Sequence, residues 1–404
     1  MSYKKHFPYF YFNKDDIYFD SAATALKPKQ VLDAEYEYNV KIAANTHNNL
    51  FKNAYIANEM LIETRKKVAN FIGTSNYEQI IFTSGTTHSL NQVAFGLKKV
   101  LKKDDEILLT ILEHSSNLLP WKILEEQIGI KINFLDLNSD GTIDVDNIKN
   151  KINKNTKIVS FANVSNTMGS LNDVKKITSI IKSINENIIV IVDGAQSVSH
   201  IKSNVNDWNI DFFCFSAHKM FGPFGLGVLW GKKQLLESLD PIMYGGGNNS
   251  SIEYEKYILA KVPYKFEAGT LNLSAIAGLK AAIDFIEEHN IENINNYLRD
   301  LKKYFIANIN KIELEKFEFY NINNHEPIIL FNLKNVNAQD FGSFLNKKYN
   351  ILVRTGKHCA RLAKHLIDSE STIRISLSIY NNKEDIDKLI IALQDADSWI
   401  DELL

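Results

Sequence analysis

The chain has 404 residues, of which 45% are hydrophobic and 23% charged, so it is long enough for two domains with substantial cores. Its formal net charge of −2 gives no electrostatic footprint for nucleic acid or an anionic membrane. No stretch approaches the roughly 20 uninterrupted apolar residues of a membrane span, and residues 1–13 resemble neither a signal nor a transit peptide. The two cysteines, Cys214 and Cys359, lie far apart in different kinds of segment. This spacing argues against a disulfide framework and favours a reducing compartment, the cytoplasm.

Short β-branched runs alternate with longer amphipathic stretches between about residues 60 and 230, which is typical of α/β layering around a buried sheet. The runs predicted to be strands are 79–83, 106–110, 131–135, 157–161, 188–192, 212–215 and 227–230. Polar residues suited to catalysis or ligand binding directly follow most of these runs. In open α/β sheets, ligands bind at these carboxyl ends of the strands. We therefore predict an α/β fold with a seven-stranded, mostly parallel sheet.

The pattern changes beyond about residue 273. The predicted elements there are helices at 275–288 and 294–312, strands at 327–333, 351–354 and 372–377, and a final helix at 383–399. This order predicts a smaller α+β domain. We expect an N-terminal segment (1–19) that packs on the small domain, a large domain (20–273) and a small C-terminal domain (274–404).

One segment places a lysine at the mouth of an apolar strand. It reads FFCFSAHKMFGPF over residues 212–224, so that Ser216, His218 and Lys219 follow the strand. A lysine in such a place is usually paired, or has a lowered pKa and forms imines. Taken alone, the segment fits equally well a lysine that reaches solvent.

A second segment supplies a possible partner for a cofactor ring. It reads IIVIVDGAQS over residues 188–197, so a fully apolar run ends in Asp193, with Gln196 three residues later. A carboxylate there can pair with the protonated ring nitrogen of pyridoxal 5′-phosphate (PLP), which makes that ring an electron sink. Gln196 can hydrogen-bond the ring oxygen. The structural alternative for Asp193 is a helix N-cap.

Two more segments contain a possible phosphate site and a possible stacking group. Thr86 and Thr87 follow Gly85 at a predicted helix start, where backbone N–H groups and hydroxyls bind phosphate. His114 follows the strand at 106–110 and can stack on a pyridine ring. Because threonine at a helix start and a lone histidine after a strand are both common in structural roles, these residues are informative only in combination.

Taken together, these segments resemble the class V aminotransferase superfamily, which has fold type I of the PLP enzymes, and within it the cysteine desulfurases. The resemblance spans nearly the whole chain. Its segments are DSAAT (20–24), TSGTTHSLN (83–91), EHSSNLLPW (113–121), SNTMG (165–169), VDGAQS (192–197), SAHKMFGPFGLGVLWG (216–231), FEAGTLN (266–272), RTGKHCA (354–360) and IRISLSIYN (373–381).

The resemblance implies a role for each cofactor-site residue. Lys219 holds PLP as a Schiff base, Asp193 pairs with the ring nitrogen, and Gln196 holds the ring oxygen. His114 stacks on the ring and joins Lys219 among the catalytic residues. The residues that bind the phosphate within one chain are Thr86, Thr87, Ser216 and His218. No metal is expected.

The resemblance also implies a substrate pocket and a dimer. Thr270 corresponds to a residue that reaches the phosphate bound by the other subunit, so a homodimer with shared sites is implied. Arg374 matches the arginine that grips the substrate carboxylate, a task suited to its bidentate fork. Asn166, His47 and Arg354 are assigned to the same pocket.

Cys359 distinguishes a desulfurase from the superfamily's transaminases, hydrolases and epimerases. It lies in a loop rich in positive charge and flexible at Gly356, where nearby cations favour the thiolate that attacks sulfur. The alternative of a buried cysteine that acts as a small hydrophobe suits Cys214 instead. The implied reaction converts L-cysteine to L-alanine and leaves a persulfide on Cys359 for a separate acceptor protein.

The spacing around this cysteine suggests a subgroup. Cys359 lies close in sequence to both Arg354 and Arg374, which resembles the SUF-type (group II) desulfurases rather than the group with a long mobile loop. A short loop implies a dedicated acceptor protein, in iron–sulfur cluster or thio-cofactor assembly. The chain departs from the family pattern at Ser115 and Lys357, where histidines are usual. Gln339 stands where relatives with a zinc-containing acceptor have histidine, so the acceptor type stays open.

Two alternatives remain at this point. A selenocysteine lyase uses almost the same site, and the sequence separates it poorly from a desulfurase. A catalytically silent assembly scaffold would keep the fold without the chemistry. The joint presence of Lys219, Asp193, His114, Arg374 and Cys359 argues against the scaffold.

Overall fold

The computed structural model describes residues 3–46 and 50–401. Its α-helices are α1 (Tyr9–Phe12), α2 (Lys29–Glu37), α3 (Lys52–Phe71), α4 (Thr86–Gly96), α5 (Ser115–Ile128), α6 (Ile148–Lys151), α7 (Val174–Ile184), α8 (Lys233–Ser238), α9 (Leu273–His289), α10 (Ile291–Asn308), α11 (Ala338–Tyr349), α12 (Lys364–Ile367) and α13 (Lys383–Gln394). Its strands are β1 (Ile17–Tyr18), β2 (Ile80–Thr83), β3 (Glu106–Leu109), β4 (Lys131–Phe134), β5 (Thr156–Ala162), β6 (Ile189–Asp193), β7 (Phe212–Ser216), β8 (Gly227–Gly231), β9 (Asn249–Ile252), β10 (Tyr257–Leu259), β11 (Phe317–Phe319), β12 (Ile328–Leu333), β13 (Ile351–Leu352), β14 (Arg354–Gly356) and β15 (Thr372–Ser376).

A seven-stranded sheet with the order β2-β8-β7-β6-β5-β3-β4 forms the centre of the molecule. Strand β8 pairs antiparallel with both of its neighbours, and the other pairings are parallel. Side chains of β6 alternate between the two faces: Val190 and Val192 pack in one apolar cluster and Ile191 in the other. Because both faces are buried, the central strands read as continuous apolar runs.

The helices cover this sheet with apolar faces, as α7 illustrates. Its buried residues Val174, Ile177 and Ile181 recur at helical spacing, so they form one face toward the core. The helix begins after Asp173, whose carboxylate accepts a hydrogen bond from the Lys176 N–H at 3.0 Å. This N-cap satisfies a backbone donor that the first turn leaves unpaired.

A second, antiparallel sheet with the order β11-β12-β15-β14 forms near the C-terminus, with α11 packed beside it. The N-terminal segment contacts this region: β1 pairs parallel with β13, and Lys4 forms an ion pair with Asp385 at 2.6 Å. The role of residues 1–19 as a separate segment stays a prediction. The domain boundaries themselves stay a prediction.

The predicted α/β class and the seven strands of the large sheet are confirmed. The single strand predicted at 351–354 is wrong, because the chain changes partner there: β13 pairs with β1, whereas β14 pairs with β15. The hairpin β9–β10 was not predicted, because it is mostly exposed and lacks the apolar alternation of a buried strand. In the described parts of the chain, no helix combines the length and apolar character needed to cross a membrane.

A buried ion pair fastens the segment before α9 to the edge of the large sheet. The Arg65 guanidinium on α3 donates to both carboxylate oxygens of Glu267, at 2.8 and 2.9 Å. Glu267 also accepts the Phe82 N–H of edge strand β2 at 2.8 Å. Since a bidentate pair fixes geometry as well as charge, Glu267 sets the position of the residues that follow it, including Thr270.

Candidate active site

The carboxyl ends of several strands of the large sheet meet β14, β15 and the loop between them around a cavity of 260 Å³. The predicted site residues that line this cavity are Thr86, Thr87, His114, Asn166, Asp193, Gln196, Ser216, His218, Lys219, Arg354, Cys359 and Arg374. They come from segments far apart in the chain, so only the tertiary fold brings them together. The cavity is lined by an amine, a carboxylate, hydroxyls, imidazoles, guanidinium groups and a thiol.

Lys219 is at the end of a short helical turn after β7. Burial lowers its pKa to about 8, an effect that the nearby Asp193 carboxylate opposes. Its Nζ makes no hydrogen bond to any residue that the structure describes. An amine with a lowered pKa is suited to imine formation.

Asp193 ends β6, and its carboxylate accepts the Ala195 N–H at 2.9 Å. It caps a turn rather than a helix, because the residues after it form turns. Burial raises the pKa of Asp193, and the nearby positive charge of Lys219 opposes this increase. Gln196 lines the same wall and donates from its side-chain amide to Ala22 O at 2.8 Å.

A second buried carboxyl group, Glu113, lies within electrostatic reach of the Asp193 carboxylate. Burial raises the pKa of Glu113 to about 7. Its oxygens accept from the Thr110 hydroxyl at 2.7 Å and the Asn117 amide at 2.6 Å, and the Ser160 hydroxyl donates to Asn117 at 2.6 Å. This network holds the start of α5 against β5, and so sets the position of His114.

Hydroxyl groups gather where α4 begins. Ser216 Oγ accepts the Thr86 N–H at 2.7 Å and lies 2.7 Å from Thr86 Oγ1. A side chain at Gly227 would bring its Cβ within 2.4 Å of the Gly85 backbone, so glycine is required for β8 to approach this helix start. The N-terminus of α4, with its free N–H groups, therefore has the form of an anion site.

Two of the imidazoles that line the cavity, those of His114 and His218, are neutral at physiological pH. Burial, followed by the charges of Lys219 and Arg374, lowers the pKa of His114 to about 4. Burial also lowers the pKa of His218 to about 4. His218 stacks on Phe224 with ring centroids 5.6 Å apart. Its buried Nδ1 has no hydrogen-bond partner among the described residues, which leaves it available to a ligand.

The Arg374 guanidinium on β15 is buried and held by two acceptors. Nη1 donates to Asn166 O at 2.9 Å, and Nη2 donates to Asp20 at 3.0 Å. Burial raises the pKa of Asp20 despite the neighbouring guanidinium. The Arg374 Nε is buried without a partner among the described residues. The group is therefore oriented in advance and keeps a donor for an incoming carboxylate.

Cys359 is exposed, in a loop whose backbone is strained. Both Cys359 (φ 56°) and His358 (φ 48°) adopt the left-handed conformation, which costs roughly 1–2 kcal/mol for each non-glycine residue. Burial, followed by the charges of Arg374 and Arg354, lowers the pKa of His358 to about 3. His358 is thus a neutral group, and the positive charge beside Cys359 comes from the arginines.

Of the predicted site residues that the structure describes, Thr270 does not line the cavity of its own chain. Thr270 is exposed, and the Asn45 amide donates to its hydroxyl at 3.3 Å. His47 lies outside the described residues. Cys214, predicted to belong to the core, is fully buried in an apolar cluster, and burial raises its pKa.

Several functional candidates escaped the sequence analysis. Ser116 joins two predicted residues, because its hydroxyl lies 2.7 Å from Thr87 Oγ1 and 3.0 Å from His114 Nδ1. Asp20, the partner of Arg374, belongs to the DSAAT segment, but nothing in that segment signals a contact with a residue far along the chain. Such pairs could have been found only by knowing which strands are neighbours.

The residues present fit PLP. Its carbonyl requires an amine, its ring nitrogen a carboxylate, and its phosphate a set of hydroxyl and N–H donors. Lys219, Asp193 and the start of α4 supply these groups in one wall. His218 Nδ1 and Arg374 Nε add two buried polar atoms that have no partner among the described residues.

We expect cofactor-free protein to take up PLP faster as pH rises, with a midpoint near 8. Only the neutral amine attacks the PLP carbonyl, and burial lowers the pKa of Lys219 to about 8. The measurement is the rate of the absorbance change on mixing with PLP across a pH series. Because the pKa of Lys27 is also lowered to about 8, borohydride reduction and peptide mapping must locate the adduct on Lys219. A midpoint near 10, as for an exposed lysine, would contradict the assignment.

The chain matches the family described as aminotransferase class-V over residues 17–389. A probable cysteine desulfurase of Ureaplasma parvum is 40% identical over 393 residues, which cover 97% of this chain and 96% of the relative. A probable cysteine desulfurase of Halalkalibacterium halodurans is 37% identical over 379 residues, with 94% and 92% covered.

Solved structures show the same likeness. A cysteine desulfurase of Escherichia coli, in an S-sulfonic acid form, superposes with a TM-score of 0.90 at 31% identity and covers 98% of both chains. The apo structure of a cysteine desulfurase from Thermococcus onnurineus gives a TM-score of 0.91 at 34% identity, with 97% of this chain and 96% of that chain covered. The likeness therefore includes both sheets and the cavity between them.

Proposed function

The chain belongs to the aminotransferase class-V family and has the activity of a PLP-dependent cysteine desulfurase, which acts on L-cysteine, and on this premise we propose that Cys359 receives the sulfur as a persulfide. The observation that carries the proposal is that Cys359 lines the same cavity as Lys219, Asp193 and Arg374. A thiol beside an imine-forming lysine and a carboxylate-binding arginine is the set of groups that sulfur removal from an amino acid requires.

The arginine and the pocket amide bind the substrate. Arg374 keeps its Nε free among the described residues and is held by Asp20 and Asn166, so it can grip the substrate carboxylate without first being ordered. Arg354 and Asn166 lie in the same wall. The residue at position 47 is proposed for this pocket by resemblance alone.

PLP, when held by Lys219, Asp193, Gln196 and the hydroxyls at the start of α4, supplies an electron sink for negative charge that develops on the substrate. When PLP is bound, His114 would stack on the ring as a neutral imidazole. The Lys219 amine, with its lowered pKa, accepts the proton from the substrate α-carbon and later returns protons to the carbon skeleton. The Asp193 carboxylate would pair with the ring nitrogen and favour its protonated form.

Cys359 carries the sulfur transfer. Its Sγ, as the thiolate, attacks the substrate sulfur, so an S–S bond forms while the substrate C–S bond breaks. The electron pair of that C–S bond returns to the carbon skeleton, which takes up protons and leaves as L-alanine. The sulfur remains on Cys359 as a persulfide. No external oxidant or reductant is needed, because the substrate carbon gains the electrons that its sulfur gives up.

We further propose a homodimer with shared sites. Thr270 lies outside the cavity of its own chain and is exposed, so it is available to the phosphate site of a second copy. The hairpin β9–β10 exposes Ile252, Tyr254 and Tyr257 by 71%, 110% and 64%. An isolated hairpin with such apolar side chains in water is typical of an interface.

The subgroup, the acceptor and the compartment are also part of the proposal. The short loop between Arg354 and Arg374 supports a SUF-type (group II) enzyme, because it cannot carry a persulfide far from the cavity. A sulfur-acceptor protein must then approach Cys359, in iron–sulfur cluster or thio-cofactor assembly. Unpaired Cys214 and Cys359 support a reducing compartment, the cytoplasm.

The test is to incubate the PLP-loaded protein with L-cysteine, quantify alanine, and map peptides by mass spectrometry. We expect alanine to appear together with a one-sulfur mass increase on the peptide that contains Cys359. A parallel series with L-selenocysteine separates the desulfurase from a selenocysteine lyase. Alanine from L-selenocysteine alone, with or without a dithiol acceptor, would contradict the proposed function, and no alanine from either would favour a silent scaffold.

A further inference from the structure

The carbonyl of the nucleophile is held by two donors from one residue of the large domain. Ser115, the first residue of α5, donates from its N–H to Cys359 O at 2.7 Å and from its hydroxyl to the same oxygen at 2.8 Å. The residue before the nucleophile is held in the same way, because the Asn166 amide donates to His358 O at 2.7 Å. Two successive peptide carbonyls of the loop are thus held from outside it.

These bonds act where the loop backbone is under strain. His358 and Cys359 both have positive φ, with values of 48° and 56°, and a pair of adjacent non-glycine residues in this region persists only when neighbouring groups impose it. The Cys359 carbonyl accepts its hydrogen bonds from Ser115, which belongs to a different element, α5, and not to the loop. Within the loop, the Ala360 N–H donates to Lys357 O at 2.9 Å and closes the turn around these two residues. The external donors add a constraint on the carbonyls of His358 and Cys359.

We propose that Ser115 is a positioning residue for Cys359, holding its carbonyl so that the left-handed backbone keeps the thiol in the cavity wall. This inference rests on the proposed role of Cys359 as the sulfur acceptor. Because the Cα–Cβ direction of a residue follows from its own backbone angles, fixing the carbonyl and φ of Cys359 fixes the direction from which Sγ approaches the substrate. Geometry of this kind matters for rate, since small displacements of a nucleophile are costly.

The same contact links the nucleophile loop to the cofactor side of the cavity. His114, the residue before Ser115, caps α5 by accepting the Ser116 N–H at 3.1 Å. The first turn of α5 therefore carries both the imidazole proposed to cover the ring and the donors that hold Cys359. Asn166 makes a parallel link, because its backbone oxygen accepts from Arg374 while its amide holds His358.

The position of Ser115 allows its two hydrogen bonds to be removed in steps. Ser115→Ala removes the hydroxyl but keeps the N–H. Ser115→Pro removes both donors, and proline is well tolerated at the first position of a helix. The preceding residue, His114, has φ −58° and ψ 146°, which suits a residue before proline. Ser115→Thr keeps both donors and serves as the rescue variant.

The experiment measures the PLP-loaded full chain in two independent ways. Hydrogen exchange of the amides in residues 355–361 should accelerate in Ser115→Ala and more so in Ser115→Pro, and remain as in the wild type in Ser115→Thr. The kcat for alanine release should fall about three- to tenfold in Ser115→Ala, the size expected for one hydrogen bond, and further in Ser115→Pro. The KM for L-cysteine and the cofactor absorbance should not change.

Ser183→Ala is the matched control, because Ser183 is exposed and its hydroxyl also donates to a backbone carbonyl, Ile180 O, at 2.7 Å. It should leave exchange of the loop and kcat unchanged. Unaltered exchange in residues 355–361 for both Ser115→Ala and Ser115→Pro would overturn the inference, as would faster exchange confined to α5. If the wild type releases no alanine, the proposed function fails, yet the exchange comparison still decides whether Ser115 holds the loop.

Discussion

Replacing Cys359 with serine is expected to abolish sulfur transfer while the PLP absorbance stays as in the wild type. A serine hydroxyl does not attack sulfur at neutral pH, so alanine release from L-cysteine should fall by about 10³-fold or more, as expected when a covalent nucleophile is removed. Cys359 is exposed in the cavity wall and makes no contact that the fold depends on for its core. The measurements are alanine release, peptide mass after L-cysteine and the absorbance spectrum of the loaded protein.

The second cysteine supplies the control. Cys214 is buried in β7, within an apolar cluster, so Cys214→Ala should retain both the persulfide on Cys359 and most of the activity. Its cost should appear in stability, because a small core side chain is lost. Normal sulfide release by Cys359→Ser, or a persulfide mapped to Cys214, would show that the nucleophile is misassigned.

Replacing Lys219 with alanine is expected to remove the covalent attachment of PLP together with its absorbance band. The amine that forms the imine is lost, and so is the group proposed to move the α-proton, a role that by itself contributes about 10²–10⁴-fold to a rate. Asp193 and the hydroxyls at the start of α4 remain, so weak reversible binding of PLP should persist. Absorbance, equilibrium dialysis and alanine release measure the three consequences separately.

Lys27→Gln tests whether the position of Lys219 in the cavity, rather than a lowered pKa alone, makes it the lysine that holds PLP. Burial lowers the pKa of Lys27 to about 8, the same value as for Lys219, but Lys27 does not line the cavity and its Nζ bonds to Thr24 and Ala25 O. The variant should therefore keep the absorbance band. A colourless wild type that gains no band with added PLP would favour the scaffold alternative over the enzyme.

The large sheet was predictable because its strands carry a local signal. Strands such as β6 and β7 are buried on both faces, so each is a continuous apolar run that ends at a polar residue. The hairpin β9–β10 is largely exposed in this chain and has no such pattern. Strand β13 was merged with β14 in the prediction, since a change of pairing partner leaves no mark in the sequence.

The chemical groups were also predictable, although their contacts were not. Lys219, Asp193, His114 and Cys359 were identified from residue types after apolar runs and from the family resemblance. The charge state of His358 could not be predicted from residue types or from the family resemblance. The sequence places it among cations, whereas burial lowers its pKa to about 3 and leaves it neutral.

The amino-acid sequence by itself determined the fold class, the strand ends and the kinds of group available, because apolar periodicity and residue chemistry are local properties. Only the tertiary structure decided that Asp20 holds Arg374, that Ser115 holds the Cys359 carbonyl, and that Thr270 lies outside its own cavity. These contacts join residues far apart in the chain. They depend on which strand ends become neighbours, and strand order is set by packing of the whole core rather than by any one segment.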